Sequence, residues 1–96
     1  MTAWVSETDP EPGVDVRVYG RLLVNGKPVA GEGMVARWHL KGGAFTDCVG
    51  DTFVDGVAYC TKNTYGLPAG FTVRIEVFIK YNQVPYRATT ELTIRD

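Results

Sequence analysis

The sequence predicts an all-β sandwich of about seven antiparallel strands. Eleven glycines and five prolines are spread through the 96 residues, and they separate short segments rich in Val, Thr, Tyr, Phe and Ile. Short β-branched segments between regular turn signals are typical of sandwiches and barrels. Apolar positions nowhere repeat with a period of about 3.6 residues over a long window, so we expect no substantial helix.

Length, charge and hydropathy exclude several classes of protein. A chain of 96 residues is enough for one domain. Its ten basic and eleven acidic residues are scattered along the chain, which leaves no basic stripe for the phosphates of a nucleic acid. The apolar runs are all shorter than the roughly 18 residues that a membrane-spanning helix needs, so the sequence predicts no membrane insertion.

Residues 1–13 are expected to be a flexible leader or an edge strand, and residues 14–96 the sandwich domain. Pro10 and Pro12 have no N–H to donate to a strand ladder, whereas Trp4 and its neighbours are compatible with a short edge strand. This first segment lacks the apolar stretch of a signal peptide. We expect the chain to be one domain of a longer exported protein.

The first predicted strand runs from Val14 to Val24, with its valines on one face and its charged residues on the other. Gly20 interrupts this pattern, and we expect a bulge or a bend there. The dipeptide Asn25-Gly26 predicts a tight turn, because both residues tolerate positive φ.

The middle of the chain contains four further strand segments. One spans about residues 34–41 and places Trp38 on the buried face. Gly42-Gly43 ends it, a further strand covers about residues 45–49, and another pair flanks Asp55-Gly56.

A hairpin is the clearest element, and it is formed by residues 71–81 and 84–94. If Asn82-Gln83 is a two-residue turn, the apolar residues of both strands fall on one face. The resulting inward pairs are Tyr81 with Val84, Ile79 with Tyr86, Val77 with Ala88, Ile75 with Thr90, and Val73 with Leu92.

On the outer face, the same register pairs Arg74 with Glu91 and Phe78 with Arg87. Pro85 has no N–H, so we expect its strand to lie at a sheet edge. Because Pro85 and the outer charges disfavour pairing with a second chain, we expect a monomer.

The two cysteines, Cys48 and Cys60, are expected to form a structural disulfide. Zinc needs about four ligands, and His39 is the single histidine; the C-x-x-C spacing of redox sites is also absent. Buried free thiols are the alternative. Closing a loop of this size stabilises a protein by roughly 3 kcal/mol on the chain-entropy argument, and it indicates an oxidising compartment.

The pairing of the cysteines raises a difficulty of register. If Asp55-Gly56 is a two-residue hairpin turn, Cys60 faces Asp51 and not Cys48. Either the connection is longer, or the disulfide joins strands that are not direct partners.

Catalytic chemistry has little support in the sequence. A hydrolytic triad needs a nucleophile, a base and an orienting group. We interpret His39 as a solvated side chain on an outer face beside Arg37 and Lys41, and a disulfide removes the thiolate that a Cys-His pair needs. We therefore expect no enzymatic activity and no cofactor.

Asp47, Asp51 and Asp55 recur around the predicted turns and are candidate calcium ligands. Calcium takes about six or more oxygen ligands, often from loops. The D-x-D-x-D-G pattern is absent, and Asp is a common turn residue, which favours turn chemistry as the alternative.

Tyr65, Phe71 and Phe78 form the candidate ligand surface, with Tyr19 and Phe53 as further outward-facing aromatics. Coplanar exposed aromatics stack on sugar rings. Packing against a neighbouring domain or ordinary exposure is the alternative. Phe78 is the strongest single candidate, because it interrupts the polar side of the hairpin.

Two segments resemble known modules. Asn25–Gly31, N-G-K-P-V-A-G, resembles the N-G-x-P-V-x-G opening of bacterial immunoglobulin-like and carboxypeptidase-regulatory-like modules. Thr52–Ala58 resembles their T-D-x-[DN]-G-x-A segment, with Phe53 in place of the usual Asp, and the final hairpin is similar to their last two strands. The cysteine pair is not general to these modules.

The resemblance implies an immunoglobulin-like sandwich of about seven antiparallel strands. Such modules are usually non-enzymatic parts of exported bacterial proteins. We therefore expect a secreted or cell-surface bacterial module that acts as a spacer, adhesion or protein-interaction domain, with other domains of the parent protein or surface proteins as partners. A carbohydrate- or peptide-binding accessory module is the alternative, since a fold does not fix a function.

Overall fold

A computed structural model describes all 96 residues, and the chain forms two antiparallel sheets and one short hairpin. A three-stranded sheet has the order β1-β2-β7, and a four-stranded sheet has the order β6-β5-β8-β9. β3 and β4 pair only with each other. The strands are β1 (Thr2–Val5), β2 (Asp15–Arg21), β3 (Leu23–Val24), β4 (Lys27–Pro28), β5 (Gly33–His39), β6 (Phe45–Asp51), β7 (Val57–Asn63), β8 (Thr72–Tyr81) and β9 (Val84–Thr93).

The predicted all-β sandwich is confirmed, with seven strands of four residues or more. The helical content is a single 3₁₀ turn, Lys41–Gly43. An immunoglobulin constant domain places its fourth strand beside its fifth. Here the fourth long strand, β6, pairs with β5 instead, and the other six strands keep that domain's order.

The core lies between the two sheets and follows from the alternation of apolar and polar residues along each strand. Fifteen buried apolar residues form one cluster. Trp38 on β5 is the largest of the fully buried side chains, as the sequence predicts. Val16 and Val18 of β2 lie in the same cluster as Ile75 and Val77 of β8, which belong to the facing sheet.

Gly20 does not form the expected bulge. It lies in a continuous register opposite Ala3 of β1 and Ala58 of β7. A Cβ atom at this position would lie 2.9 Å from Met34 Sδ and 2.9 Å from Val77 Cγ1, both in the facing sheet. The glycine therefore lets the two sheets approach each other, and the strand is interrupted one residue beyond β2, at Leu22.

Both predicted tight turns are present. Asn25 and Gly26 have φ of 53° and 77°, and Asn82 and Gln83 have φ of 49° and 62°. Two consecutive positive φ values are those of a type I′ turn. All five inward pairs of the final hairpin occur in the expected register, and β9 is an edge strand, as Pro85 indicates.

The connection at Asp55-Gly56 is not a hairpin. β6 and β7 flank it in sequence, but they belong to different sheets. The Phe53 N–H donates to Val57 O at 2.9 Å, and the Gly56 N–H donates to Phe53 O at 2.9 Å. The chain therefore crosses from the edge of one sheet to the edge of the other at this point.

The N-terminal residues lie along the sandwich. β1 pairs with β2 at the edge of the three-stranded sheet. Farther on, Thr8 O accepts the Thr93 N–H and Pro10 O accepts the Arg95 N–H, at 2.9 and 2.8 Å. These bonds hold the segment after β1 against the C-terminal residues.

Candidate interaction surface

An aromatic row crosses the outer face of the three-stranded sheet. Trp4, Tyr19 and Tyr59 occupy directly opposed positions on β1, β2 and β7. The Trp4 and Tyr19 ring centroids are 5.3 Å apart with the rings nearly parallel, and those of Tyr19 and Tyr59 are 5.9 Å apart. Phe53, from the β6–β7 connection, extends the row at 6.2 Å from Tyr59. We call these four residues the aromatic row.

The aromatic row is partly exposed to solvent, and Tyr19 is the least exposed of its four rings. Trp4 is 38%, Tyr59 37% and Phe53 57% exposed. The Arg17 guanidinium lies over the Tyr59 ring, with its Cζ 4.6 Å from the ring centroid, a cation–π contact. Tryptophan, tyrosine and arginine dominate the binding energy of protein interfaces.

The packing of the rings limits what the row can bind. Trp4 covers one side of Tyr19, and Tyr59 packs on the other side. Arg17 covers a face of Tyr59. The row therefore offers ring edges, tyrosine hydroxyls and a guanidinium rather than a flat platform of free ring faces. Apolar edges with polar tips suit contacts with a protein surface.

A charged cluster occupies the outer face of the four-stranded sheet. Glu76 on β8 is 9% exposed. It accepts a hydrogen bond from Arg87 Nη1 at 3.1 Å and is hydrogen-bonded to His39 Nε2. Arg74 Nη2 lies 3.8 Å away. The hydrogen bond from His39, supported by the charges of Arg74 and Arg87, holds the pKa of Glu76 below its ordinary value.

His39 differs from the sequence-based expectation. It does lie on an outer face, but its ring is engaged with Glu76 and is not simply solvated. This contact follows from the pairing of β5 with β8, which sets Arg37 opposite Glu76. No local signal in the sequence gives that pairing.

Arg37 and Asp47 form a second ion pair on this face. Arg37 Nε and Nη2 donate to the two carboxylate oxygens of Asp47 at 3.0 and 3.1 Å. These bonds lower the pKa of the Asp47 carboxyl. Arg37 also lies over the Phe45 ring, with Cζ 4.2 Å from its centroid.

The disulfide between Cys48 and Cys60 is confirmed, and it leaves no free cysteine. Cys48 lies on β6 and Cys60 on β7, with their Cα atoms 5.8 Å apart. The sequence left two alternatives, a longer connection at Asp55-Gly56 or a disulfide between strands that do not pair. The second is correct, because β6 and β7 belong to different sheets. It links the edge of one sheet to the edge of the other.

The three aspartates that are candidate calcium ligands do not converge. Asp47 is paired with Arg37, and Asp55 accepts the Val57 N–H within its own turn. Asp51 ends β6. Nowhere in the chain are three His, Cys, Asp or Glu residues grouped so as to hold a metal ion.

Tyr65 and Phe71 belong to the β7–β8 connection, and Phe78 lies on β8. Tyr65 is 87% exposed in the β7–β8 connection. Phe71 is partly buried against the core, whereas Phe78 lies on the outer face opposite Val35 and Arg87. Of the three, Tyr65 is the exposed side chain, and Phe71 and Phe78 are partly buried.

Sequence reasoning missed Trp4 and Tyr59 as members of a surface. Both alternate with inward residues, which is a usable local signal. The sequence did not indicate that β1, β2 and β7 lie side by side. β7 is next to β2 in the sheet, but four strands separate them in the sequence.

Comparison with known protein families and with curated proteins finds no match to this sequence. The structure also contains no helix with the length and hydropathy needed to cross a bilayer.

Proposed function

We propose that the chain is a non-catalytic, immunoglobulin-like module of an exported bacterial protein, and that it binds a protein partner through the aromatic row. The observation that carries this proposal is the unbroken row of Trp4, Tyr19, Tyr59 and Phe53 on a sheet face that no other part of the chain covers. Its composition is that of an interface centre.

The disulfide supports the exported location. Structural disulfides persist in oxidising compartments and are rare in the cytosol. The turn segments Asn25–Gly31 and Thr52–Ala58, which resemble those of bacterial surface modules, support the same assignment. If the gene encoded this domain alone and without an export signal, this part of the proposal would be wrong.

Site-specific photo-crosslinking in the cells that make the protein tests the binding surface. A photoreactive phenylalanine analogue replaces Phe53, at the end of the aromatic row, and in a control it replaces Thr89, an exposed residue on the other sheet. We expect a discrete protein adduct from position 53 only, and we expect Trp4→Ala to abolish it. Equal adducts from both positions, or an adduct that persists in Trp4→Ala, would contradict the proposal.

A carbohydrate-binding accessory module is the second candidate. Trp4 on the edge strand β1 is 38% exposed, and an exposed indole ring can stack on a sugar ring. Affinity electrophoresis against soluble polysaccharides tests this function, with Trp4→Ala, Tyr65→Ala and Phe78→Ala as variants. Retardation that Trp4→Ala removes would favour this function, and migration unaffected by any polysaccharide would exclude it.

A further inference from the structure

Two arginines flank the aromatic row on the outer face of the three-stranded sheet. Arg17 and Arg21 lie two residues before and two residues after Tyr19 on β2, and the alternation of the strand turns all three side chains outward. Because a strand rises about 3.3 Å per residue, the Cα atoms of the two arginines are about 13 Å apart. One arginine therefore stands on each side of the row.

These two arginines form no ion pair, unlike the other arginines of the chain. Each of the other four has a nitrogen 3.0, 3.8, 3.1 or 3.3 Å from a carboxylate oxygen, in the order Arg37, Arg74, Arg87 and Arg95. Arg17 and Arg21 are both exposed. Arginine is the cation best suited to ion pairs at protein interfaces, so the two unpaired guanidinium groups are free to bind an anionic partner.

The sheet face that carries the row is a local positive patch. Asp15 is the one carboxylate on the outward side of β2, and it accepts a hydrogen bond from Asn63 Nδ2 at 2.9 Å. Neither Asp15 nor any other carboxylate of the chain pairs with Arg17 or Arg21. The patch occurs in a chain whose net charge is −1, so it does not follow from the overall composition.

The position of Arg17 suits the capture of a carboxylate. Its Cζ lies 4.6 Å from the centroid of the Tyr59 ring, and this cation–π contact holds the guanidinium on the row. The five N–H donors of a guanidinium lie in the plane of the group. A carboxylate accepts two of them side by side, which makes this one of the stronger hydrogen-bonded pairs in proteins.

We propose that the partner of the aromatic row is an acidic protein segment in extended conformation, with two carboxylate side chains four residues apart and an apolar side chain midway between them. This inference rests on the binding role proposed for the row and adds the chemistry of the partner. Side chains at i, i+2 and i+4 of an extended segment share one face and have the same rise per residue as β2. The outer two reach Arg17 and Arg21, and the middle one contacts the ring edges of the row.

An acidic polysaccharide also carries carboxylates, but the row favours a protein. Sugar rings stack on open ring faces, whereas Trp4 and Tyr59 pack on the two sides of Tyr19. The centre of the patch therefore presents ring edges, which suit the apolar side chain of a peptide.

Peptide titration followed by nuclear magnetic resonance tests the proposal on the whole chain. The probe is a blocked peptide, Thr-Glu-Thr-Val-Thr-Glu-Thr, and the observed signals are the Nε–H groups of Arg17 and Arg21 and the indole N–H of Trp4. The indole of Trp38, which is fully buried, is the internal reference. We expect saturable shifts of the three observed signals at millimolar peptide and no shift of Trp38.

Two control peptides separate charge from spacing. Replacing both glutamates by glutamine should weaken binding about tenfold, because both surface ion pairs are lost. Placing the two glutamates next to each other, in Thr-Thr-Glu-Glu-Val-Thr-Thr, should weaken it about threefold, because one carboxylate no longer reaches its arginine. Equal affinity for the acidic and glutamine peptides, or no saturable shift with the acidic peptide, would overturn the proposal.

Variants of the two arginines complete the test. Arg17→Gln and Arg21→Gln should each weaken the acidic peptide about threefold and leave the affinity for the glutamine peptide unchanged. Lys80→Gln is the matched control, because Lys80 is an exposed cation on β8 in the other sheet, and it should change neither affinity. The comparison of the two peptides on the unchanged chain decides the proposal even if an arginine variant fails to fold.

Two further results would also overturn the acidic protein partner. Trigalacturonate that binds more tightly than the acidic peptide, with the same dependence on Arg17 and Arg21, would assign the patch to an acidic polysaccharide. A Trp4-dependent adduct from position 53, together with equal binding of acidic and glutamine peptides, would leave the binding role of the row intact and remove only its acidic partner.

Discussion

Cys48 and Cys60 lie in different sheets, and their disulfide joins β6 to β7 along one open side of the sandwich. No backbone ladder connects these two strands. The disulfide therefore holds β6 and β7 together at this edge, as hydrogen bonds hold neighbouring strands together within a sheet.

Removing the disulfide should lower the free energy of unfolding. The Cys48→Ala/Cys60→Ala double variant is expected to lose about 3 kcal/mol, because the unfolded chain regains the freedom of the closed loop. Urea denaturation followed by far-UV circular dichroism measures the loss. Reductant should shift the midpoint of the unchanged protein and leave the double variant unaffected; equal midpoints for the two proteins would contradict the account.

Gly50 should tolerate no side chain. A Cβ atom there would lie 2.1 Å from the Tyr59 carbonyl oxygen, and the nearby disulfide limits how far β6 and β7 can separate. We expect Gly50→Ala to cost about 3 kcal/mol in the free energy of unfolding, as overpacking does. Gly33→Ala is the matched control, because the nearest atom to its Cβ is 4.0 Å away, and it should change stability little.

Glu76 should make the domain sensitive to acid. Its folded-state pKa lies below the ordinary value of 4.5, chiefly because of the hydrogen bond from His39. The ionised Glu76 carboxylate therefore makes its full contribution to the free energy of unfolding at pH values above its unfolded-state pKa. That contribution is lost as the pH falls through its folded-state pKa. We expect Glu76→Gln to lower the free energy of unfolding by about 1.5 kcal/mol at neutral pH. The loss should become smaller as the pH falls below about 4.

Denaturation at neutral and acidic pH measures this dependence. Glu91→Gln is the control, since Glu91 is an exposed carboxylate on the neighbouring strand β9. It should change stability little at neutral pH. A Glu76→Gln variant as stable as the unchanged protein at neutral pH would contradict the role of the charged cluster.

Gln83 should be a position where the domain gains stability. Its φ of 62° is in the left-handed region, which costs a residue other than glycine roughly 1–2 kcal/mol. Gln83→Gly should therefore raise the free energy of unfolding by about 1 kcal/mol. Gln83→Ala should give no gain, and thermal denaturation of the two variants distinguishes them. A gain in both would point to a cause other than the backbone conformation.

The local features of the fold could be predicted from the sequence. Alternation placed Trp38 in the core, and the Asn82-Gln83 turn set the register of the last hairpin, because a slip of one residue exposes its apolar face. These features depend on neighbours in the sequence. The pairing of Cys48 with Cys60 was predictable because the chain has two cysteines. That the bond links two sheets was not predictable, because it depends on how distant strands pair.

The candidate surfaces depend on contacts between distant segments, and the sequence did not indicate them. The aromatic row needs β7 beside β2, and the Glu76 contacts need β8 beside β5. Gly20 shows the same limit, since its neighbours Met34 and Val77 belong to the facing sheet. Outward aromatics such as Tyr19 and Phe53 were visible in the sequence, but their assembly into one row was not.

The proposed exported module depends most directly on the state of the two cysteines where the protein works. Thiols are trapped with an alkylating reagent in intact cells that make the protein, before and after reduction, and Cys48 and Cys60 are followed by mass spectrometry. The account predicts that both resist alkylation until a reductant is added. Free thiols at both positions in the folded, native protein would contradict the exported location and the covalent closure of the sandwich.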